Sequence, residues 1–311
     1  MMSMEIDSFL SYLKNVKRYS LLTVQAYEED LNQFFEFCEK YELISRYTEV
    51  TSKMVRRFEV ALMSGGLELT GKREKRKLKP MTAKSVRRKL SSLRTFFRYL
   101  MREGKMETDP TEIVVIPKIS KKLPEFVPDY KMDELLNAHQ EESDFREIRD
   151  RMVLMMAYYT GMRRSELVGL TVDDIDLGNG MIRVNGKGDK QRLVPMLAEL
   201  IKEVEIYLEL RERNMYGKEH CIFFITDKGD PIYDKFVYRL VVRYLGEVTS
   251  RTKRSPHVLR HSFATALLNN GACIEAIRKL LGHSGLAATQ VYTHNSFESL
   301  KRVYNKAHPR A

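Results

Sequence analysis

No run of about 18 apolar residues occurs anywhere in the chain, so no segment reads as a membrane-spanning helix. Met1 to Leu10 carries Glu5 and Asp7 and lacks the apolar stretch of a secretory leader, so no membrane insertion is expected. Cysteine is scarce: Cys38, Cys221 and Cys273 lie far apart, which excludes a disulfide framework and fits packed thiols in a reducing cytoplasm. Gly186-Lys187-Gly188 lacks the Gly-Lys-Ser/Thr ending and the following helix of a nucleotide phosphate loop, so no ATP site is read. His257 and His261 stand four apart, but no carboxylate lies between them and no third ligand is evident, so a zinc site is not expected. Met152, Met155 and Met156 read as core filler. No metal and no other cofactor is expected.

The 311 residues suffice for two domains, and a hydrophobic content of 43% can bury a core in each. The net charge is +11, and its distribution says more than its sum. Residues 71–105 hold fourteen Lys or Arg against Glu74 and Glu103, so the whole excess sits in one short segment and the remainder is near neutral. A concentration of that kind suits a polyanion groove, although a solvated helix face and loop would read the same way.

The first part, residues 1–112, shows helical stripes over Met4–Lys14, Ser20–Lys40, Thr51–Leu62 and Thr82–Arg102, with no convincing strand, and is read as a small helical bundle. In the last stripe Val86, Leu90, Leu93, Phe97 and Leu100 face a core while Arg87, Arg88, Lys89, Arg94 and Arg98 fall elsewhere. The run Lys72-Arg73-Glu74-Lys75-Arg76-Lys77 is too charged to pack and reads as a loop, with Lys79 just beyond it. Lys72, Arg73, Lys75, Arg76, Lys77, Lys79, Arg87, Arg88 and Lys89 are the candidate phosphate contacts, which would position the protein on DNA without reading bases. Tyr19, Thr23, Gln25 and Tyr27 suit either a cap and core or a DNA approach. A proline- and lysine-rich linker, 113–128, follows.

Residues 129–311 are read as an α+β domain. Phe145–Thr160 is an apolar helix stopped by Gly161. Period-2 alternation from Ile175 to Val194, with turns at Asn179-Gly180 and Gly186–Asp189, gives a three-stranded antiparallel sheet with Lys187 at a tip. Leu197–Arg213 is a helix, Cys221–Thr226 a short extended piece, and the next helix starts at Asp230-Pro231 and carries Lys235, Arg239 and Arg243 as candidate DNA contacts. Ser255 is expected to cap a helix beginning at Pro256, which sets His257 and Arg260 on one face of its first turns, where free amides and the dipole favour an anion.

Individually, each polar group here has an ordinary reading. Arg163 with Glu166 is an i,i+3 ion pair, Lys187 a turn lysine, His283 a satisfied residue after a Gly282 cap, and Tyr292 a core tyrosine. Their coincidence is what argues for chemistry. A tyrosine hydroxyl, with a pKa of about 10, needs electrophilic help to attack, and fixed arginines and histidines stabilise charge gathering on a phosphodiester.

Three stretches carry a family resemblance: Thr160-Gly161-Met162-Arg163-Arg164-Ser165-Glu166-Leu167, Asn185 to Pro195, and Ser255 to Thr293 with its Pro256-His257-Val258-Leu259-Arg260-His261 and Leu281-Gly282-His283. They resemble the signature of the tyrosine recombinases, the Xer branch in particular, and Ala307-His308-Pro309-Arg310-Ala311 is also Xer-like. The resemblance implies a mainly α fold with a small antiparallel sheet, in which a helical core-binding domain precedes an α+β tyrosine recombinase catalytic domain. It implies Tyr292 as nucleophile, Arg163 and Arg260 as phosphate clamp, His257 as phosphate donor and proton-transfer partner, His283 as positioner and Lys187 as acid to the leaving 5′ oxygen, with Glu166 bracing Arg163. The product would be a 3′-phosphotyrosyl link, exchanged through a Holliday junction at a double-stranded DNA recombination site. The implied assembly is a homotetramer, or a heterotetramer with a second recombinase, with an activating division protein as a further partner. The tail helix of Phe297, Leu300, Val303 and Tyr304 would dock into a neighbouring protomer; packing on its own domain is the alternative. Chromosome dimer resolution is the role read. An integrase of a mobile element, a type IB topoisomerase and a non-catalytic DNA-binding protein are the rivals.

Overall fold

Ser20, Thr51 and Thr82 each precede an apolar-periodic run, and each side chain accepts a hydrogen bond from the amide three residues on, at Thr23, Met54 and Ser85. These caps satisfy amides that a helix start leaves open, and they set three of the first four helices: α1 (Met2–Asn15), α2 (Leu21–Tyr41), α3 (Ser52–Ser64) and, after a ribbon, α4 (Ala83–Arg102). The structure is a computed structural model and describes residues 2–65, 68–70, 75–77, 79–114, 125–138, 144–186, 190–249, 254–282 and 294–310, of which 2–3, 68–70, 75–77 and 294–299 are described as backbone only. The chain divides into two compact units, Met1–Lys122 and Leu123–Ala311.

In the first unit the four helices bury Phe9, Phe34, Phe58, Phe96 and Phe97 together. Their rings meet edge-on, Phe9 with Phe96 at 5.3 Å and Phe34 with Phe58 at 5.1 Å between centroids, the arrangement aromatic quadrupoles favour. Between α3 and α4 the structure corrects the sequence reading. Strands β1 (Glu68–Thr70) and β2 (Lys75–Lys77) form an antiparallel ribbon where only a loop was expected. Ladder pairing uses backbone groups and does not require side chains to be buried, so the density of cations did not exclude a strand. The backbone register pairs Glu68 with Lys77, Leu69 with Arg76 and Thr70 with Lys75.

The second unit is built around α6 (Phe145–Thr160), which follows α5 (Asp129–Ala138) and is buried on every side from Arg149 to Thr160, as a central helix must be. It ends at Gly161 in the left-handed conformation (φ +59°), where a Cβ would come within 2.5 Å of the Phe263 ring. Helix α7 (Arg164–Val168) leads to an antiparallel sheet of β3 (Ile175–Asp176), β4 (Met181–Asn185) and β5 (Gln191–Pro195), ordered as in the chain. Helix α8 (Ala198–Arg213) packs on α6, and Phe223, Phe224 and Ile225 enter the same core. Helix α9 (Asp234–Val248) begins later than the sequence suggested, because Pro231 is held in an extended bridge with Ile225. Helices α10 (Pro256–Asn269), α11 (Ile274–Leu281) and α12 (His294–Ala307) complete the unit. Ser255 stands at the N-cap of α10, but its side chain makes no capping bond; Pro256 in the first turn marks the start.

In the single chain the tail helix packs on its own domain, the alternative to docking in a neighbour. Leu300, Tyr304 and Ala307 of α12 are buried in the chain's own second unit, Tyr304 Oη donates to the Tyr159 carbonyl at 2.9 Å, and Asn270 Nδ2 donates to the Ala307 carbonyl at 3.0 Å. The apolar spacing of α12 reads the same whether its groove belongs to the same chain or a second one. No helix among the described residues is long and apolar enough to cross a membrane.

Candidate active site

The end of α6, the start of α7, β5, α10 and the end of α11 are tied together around Arg163, Glu166, Arg192 and Arg260. Arg163 is the N-cap of α7, placed there because Gly161 stops α6 two residues earlier. Its backbone amide donates to Glu166 Oε2 at 2.7 Å and its Nη1 to Glu166 Oε1 at 2.8 Å. The same carboxylate accepts both terminal nitrogens of Arg192 from β5, at 3.0 and 2.8 Å. Arg260, in the second turn of α10, donates from Nη1 to the Gly161 carbonyl at 2.6 Å and from Nη2 to the Leu281 carbonyl at 2.5 Å. It therefore ties the end of α6 to the end of α11. Glu166 is almost entirely buried, whereas the Arg163 side chain keeps 35% exposure and so can meet a ligand.

Among the described residues the electrostatics of this centre are one-sided: Arg163 and Arg192 pair with Glu166, and the Arg260 guanidinium feels both of them, so three guanidiniums face one carboxylate. Burial pushes the Glu166 carboxyl up, but hydrogen bonding and charge from Arg192, then bonds from Arg163, outweigh it and hold the group below its ordinary range. Burial, followed by the like charges of Arg163 and Arg192, brings Arg260 down from 12.5 to about 10, with Glu166 opposing. A bound anion relieves that repulsion, and rigid, part-desolvated guanidiniums bind a phosphate oxygen pair well. His257 is exposed on the first turn of α10, and burial with the charges of His257 and Arg260 lowers the pKa of neighbouring His261.

Arg163, Glu166 and Arg260 are thus brought together. His257 lies three residues before Arg260 on α10, with its side chain exposed while Arg260 is buried. Lys187, His283 and Tyr292 fall outside the described residues; the strands flanking Lys187, β4 and β5, are the pair the sequence predicted. The sequence reading passed over Arg192. The available signal was its parity: in β5 it alternates with exposed Gln191 and Leu193, so it points inward, where a charge must have partners.

The basic candidates of the first unit separate into distinct groups. Lys79 and Arg87 are exposed. Lys75, Arg76 and Lys77 form β2, while Lys72 and Arg73 lie outside the described residues. Arg88 is half-exposed and pairs with Asp30 at 2.5 and 2.8 Å. Lys89 is only 7% exposed and donates to Asp30 at 2.8 Å, which turns it into the bundle and away from any surface groove. Arg94 caps the Thr111 and Val114 carbonyls. On α9 Lys235 and Arg239 are exposed, whereas Arg243 stacks on Tyr244 and pairs with Asp150 at 2.6 Å. Tyr19 and Tyr27 pack on each other at 6.2 Å, and Thr23 belongs to the α2 cap.

Comparison with known proteins matches residues 125–299 to the phage integrase family and residues 6–104 to the phage integrase N-terminal SAM-like domain. Tyrosine recombinase XerC of Chlorobaculum parvum is 36% identical over 327 residues, covering 98% of this chain and 94% of that one. Tyrosine recombinase XerC of Listeria welshimeri is 36% identical over 307 residues, covering 98% and 97%. Among solved structures, the Tn1549 transposon integrase in complex with transposon right end DNA has a TM-score of 0.70 at 17% identity, covering 97% of this chain and 98% of that one. The XerH site-specific recombinase bound to palindromic difH substrate, a post-cleavage complex, has a TM-score of 0.67 at 24% identity, covering 97% and 83%. Both agree with the fold described above.

Proposed function

The chain belongs to the phage integrase family of tyrosine recombinases, and from that premise we propose that it cuts and rejoins DNA at a specific site through the centre around Glu166. The observation that carries this reading is the excess of guanidinium charge among the described residues, where Arg163 and Arg192 share the one buried Glu166 carboxylate and Arg260 lies close enough to feel all three. A phosphodiester gains negative charge on its non-bridging oxygens when attacked, and preorganised guanidiniums stabilise that charge without reorganising.

In the proposed step Arg163 and Arg260 hold the non-bridging oxygens and His257 donates a further hydrogen bond. The Tyr292 oxygen attacks phosphorus, the P–O5′ bond breaks, and a 3′-phosphotyrosyl bond forms. Lys187 donates a proton to the departing 5′ oxygen, and the tyrosine proton passes to the His257 side of the site, while His283 positions the phosphate and Tyr292. Attack by a 5′ hydroxyl of a partner strand then reverses these bond changes and regenerates the tyrosine. The bond energy stays in the covalent link, so rejoining needs no nucleotide hydrolysis. Two rounds of exchange pass through a Holliday junction in a tetramer of one or two kinds of recombinase. The Xer name of the 36%-identical relatives favours chromosome dimer resolution in the cytoplasm over integration of a mobile element. Residues 1–112 act as the DNA-clasping domain, with Lys72, Arg73, Lys75, Arg76, Lys77, Lys79, Arg87 and Arg88 as phosphate contacts.

Covalent capture tests the proposal. The protein and its Tyr292→Phe variant are mixed with fragmented host DNA and quenched in detergent, and the attached DNA is sequenced. Adducts at one discrete locus that vanish in the variant are expected. Adducts scattered along the genome indicate a topoisomerase instead, and adducts that persist in the variant remove Tyr292 as nucleophile.

A further inference from the structure

We propose that Arg192 is a positioning residue of the active site, which keeps the Arg163 fork available to phosphate and anchors the end of α11 ahead of His283. This deepens the recombinase reading and rests on it. The Arg192 side chain is 5% exposed on β5, and its Nε, Nη1 and Nη2 all donate: Nε to the Leu280 carbonyl at 2.7 Å, the other two to Glu166. The following carbonyl, Leu281, accepts Arg260. Two guanidiniums from separate elements thus satisfy successive carbonyls in the last turn of α11, groups that a helix end leaves without intrahelical partners. Gly282 closes that turn at φ +62°, and a Cβ there would stand 3.0 Å from Arg192 Cδ and 3.2 Å from its Nη1. On the other side, a Cβ on Gly186, which precedes Lys187, would stand 3.9 Å from Glu166 Oε1. Arg192 therefore joins the strand leaving the Lys187 turn, the start of α7 that carries Arg163, and the end of α11.

Stability alone does not account for such a residue, because a buried ion pair is often replaced by apolar side chains at no cost. The geometry accounts for it differently. With both Glu166 oxygens engaged by Arg192, Arg163 gives the carboxylate one side-chain nitrogen among the described residues. Without Arg192, Glu166 is free to take Arg163 in a bidentate pair and draw its fork away from a ligand. Lysine cannot restore the arrangement in full, since one ammonium does not reproduce a planar fork bonded to two elements.

The test compares full-length wild type, Arg192→Gln and Arg192→Lys. On a nicked duplex carrying the captured sequence, adduct formation is timed at saturating DNA, and duplex affinity and melting temperature are measured separately. Arg192→Gln is expected to slow the saturated rate about 10- to 100-fold, as small misplacements of catalytic groups do, at unchanged duplex affinity, and Arg192→Lys to recover part of the rate. A wild-type rate in Arg192→Gln, or a loss confined to affinity, overturns the proposal. If Arg192→Gln does not fold, Arg192→Lys decides: slowing at wild-type melting temperature supports the proposal and a wild-type rate overturns it. A second arm titrates inorganic phosphate and follows the Arg163 side-chain Nε–H signal in 15N-arginine-labelled protein. Arg192→Gln should weaken that response at least about tenfold, and an equal response in both proteins overturns the role. If wild type forms no adduct, the recombinase reading fails and the phosphate arm alone decides whether Arg192 positions Arg163.

Discussion

Asp30 and Lys89 show how one side chain's role depends on a partner far away in the chain. Asp30 is fully buried and accepts Lys89, Arg88 and Ser92, all from α4. Taking a charge out of water costs several kcal/mol unless a partner and further hydrogen bonds offset it, and here two cations and a hydroxyl do so. Removal of Asp30 leaves Lys89 buried without its carboxylate. Asp30→Ala is therefore expected to lose about 3–5 kcal/mol in urea unfolding of the full chain, whereas Lys89→Met changes stability by about 1 kcal/mol or less. Lys89→Met should also leave DNA affinity unchanged, which a binding titration checks. Within Arg87-Arg88-Lys89 the helical period sets Lys89 on the face of Val86 and Leu93, which signals burial, but its carboxylate lies 59 residues away and is not locally legible. The Arg163–Glu166 pair was legible for the opposite reason: both residues sit within one turn, and a helix start defines their geometry.

Among the elements, the helices were legible and the ribbon was not. Ser20, Thr51 and Thr82 announced three helices because capping and a 3.6-residue apolar period are local signals. Strands β1 and β2 carry no such period. Their pairing depends on the backbone, so charge density misled the reading. Under the proposed DNA-binding role, Lys75, Arg76, Lys77 and Lys79 are phosphate contacts. Replacing Lys75, Arg76, Lys77 and Lys79 together by Gln is expected to weaken DNA binding at all sequences. It should lower the slope of log K against log salt by up to about 4, since each phosphate contact contributes about 0.9. Affinity measured across a salt series checks this.

For the molecule as a whole, the C-terminal segment closes the second unit. His308 is 3% exposed, with its ring against Tyr159 at 4.9 Å and Tyr304 at 5.1 Å, and Nδ1 accepts the Arg310 amide at 3.2 Å. Arg310 spans to Glu199 at 2.6 Å and Asp133 at 3.0 Å. Burial, then the Arg310 charge, lowers the His308 pKa from 6.5 to about 3, so the ring is neutral when folded. The unfolded chain binds that proton more readily. Stability is therefore unaffected by His308 above pH 6.5 and falls as pH drops through the window from 6.5 towards 3, by about 1.4 kcal/mol per pH unit. His308→Phe should remove that component, which urea unfolding at pH 7, 6 and 5 resolves.

Sequence by itself determined whatever is local or periodic: helix positions, the α6 stop at Gly161, the three-strand pattern and the order of the motif residues. Family membership was equally legible, since the motif residues stand at their spacings whatever the rest of the chain does. Tertiary structure alone decided that Arg192 shares Glu166, that Lys89 faces inward, that Arg260 spans Gly161 and Leu281, and that α12 folds back on its own unit. Each of these joins residues remote in the chain, and burial of a charge or an apolar face identifies only the need for a partner. Which partner meets it depends on how the elements pack.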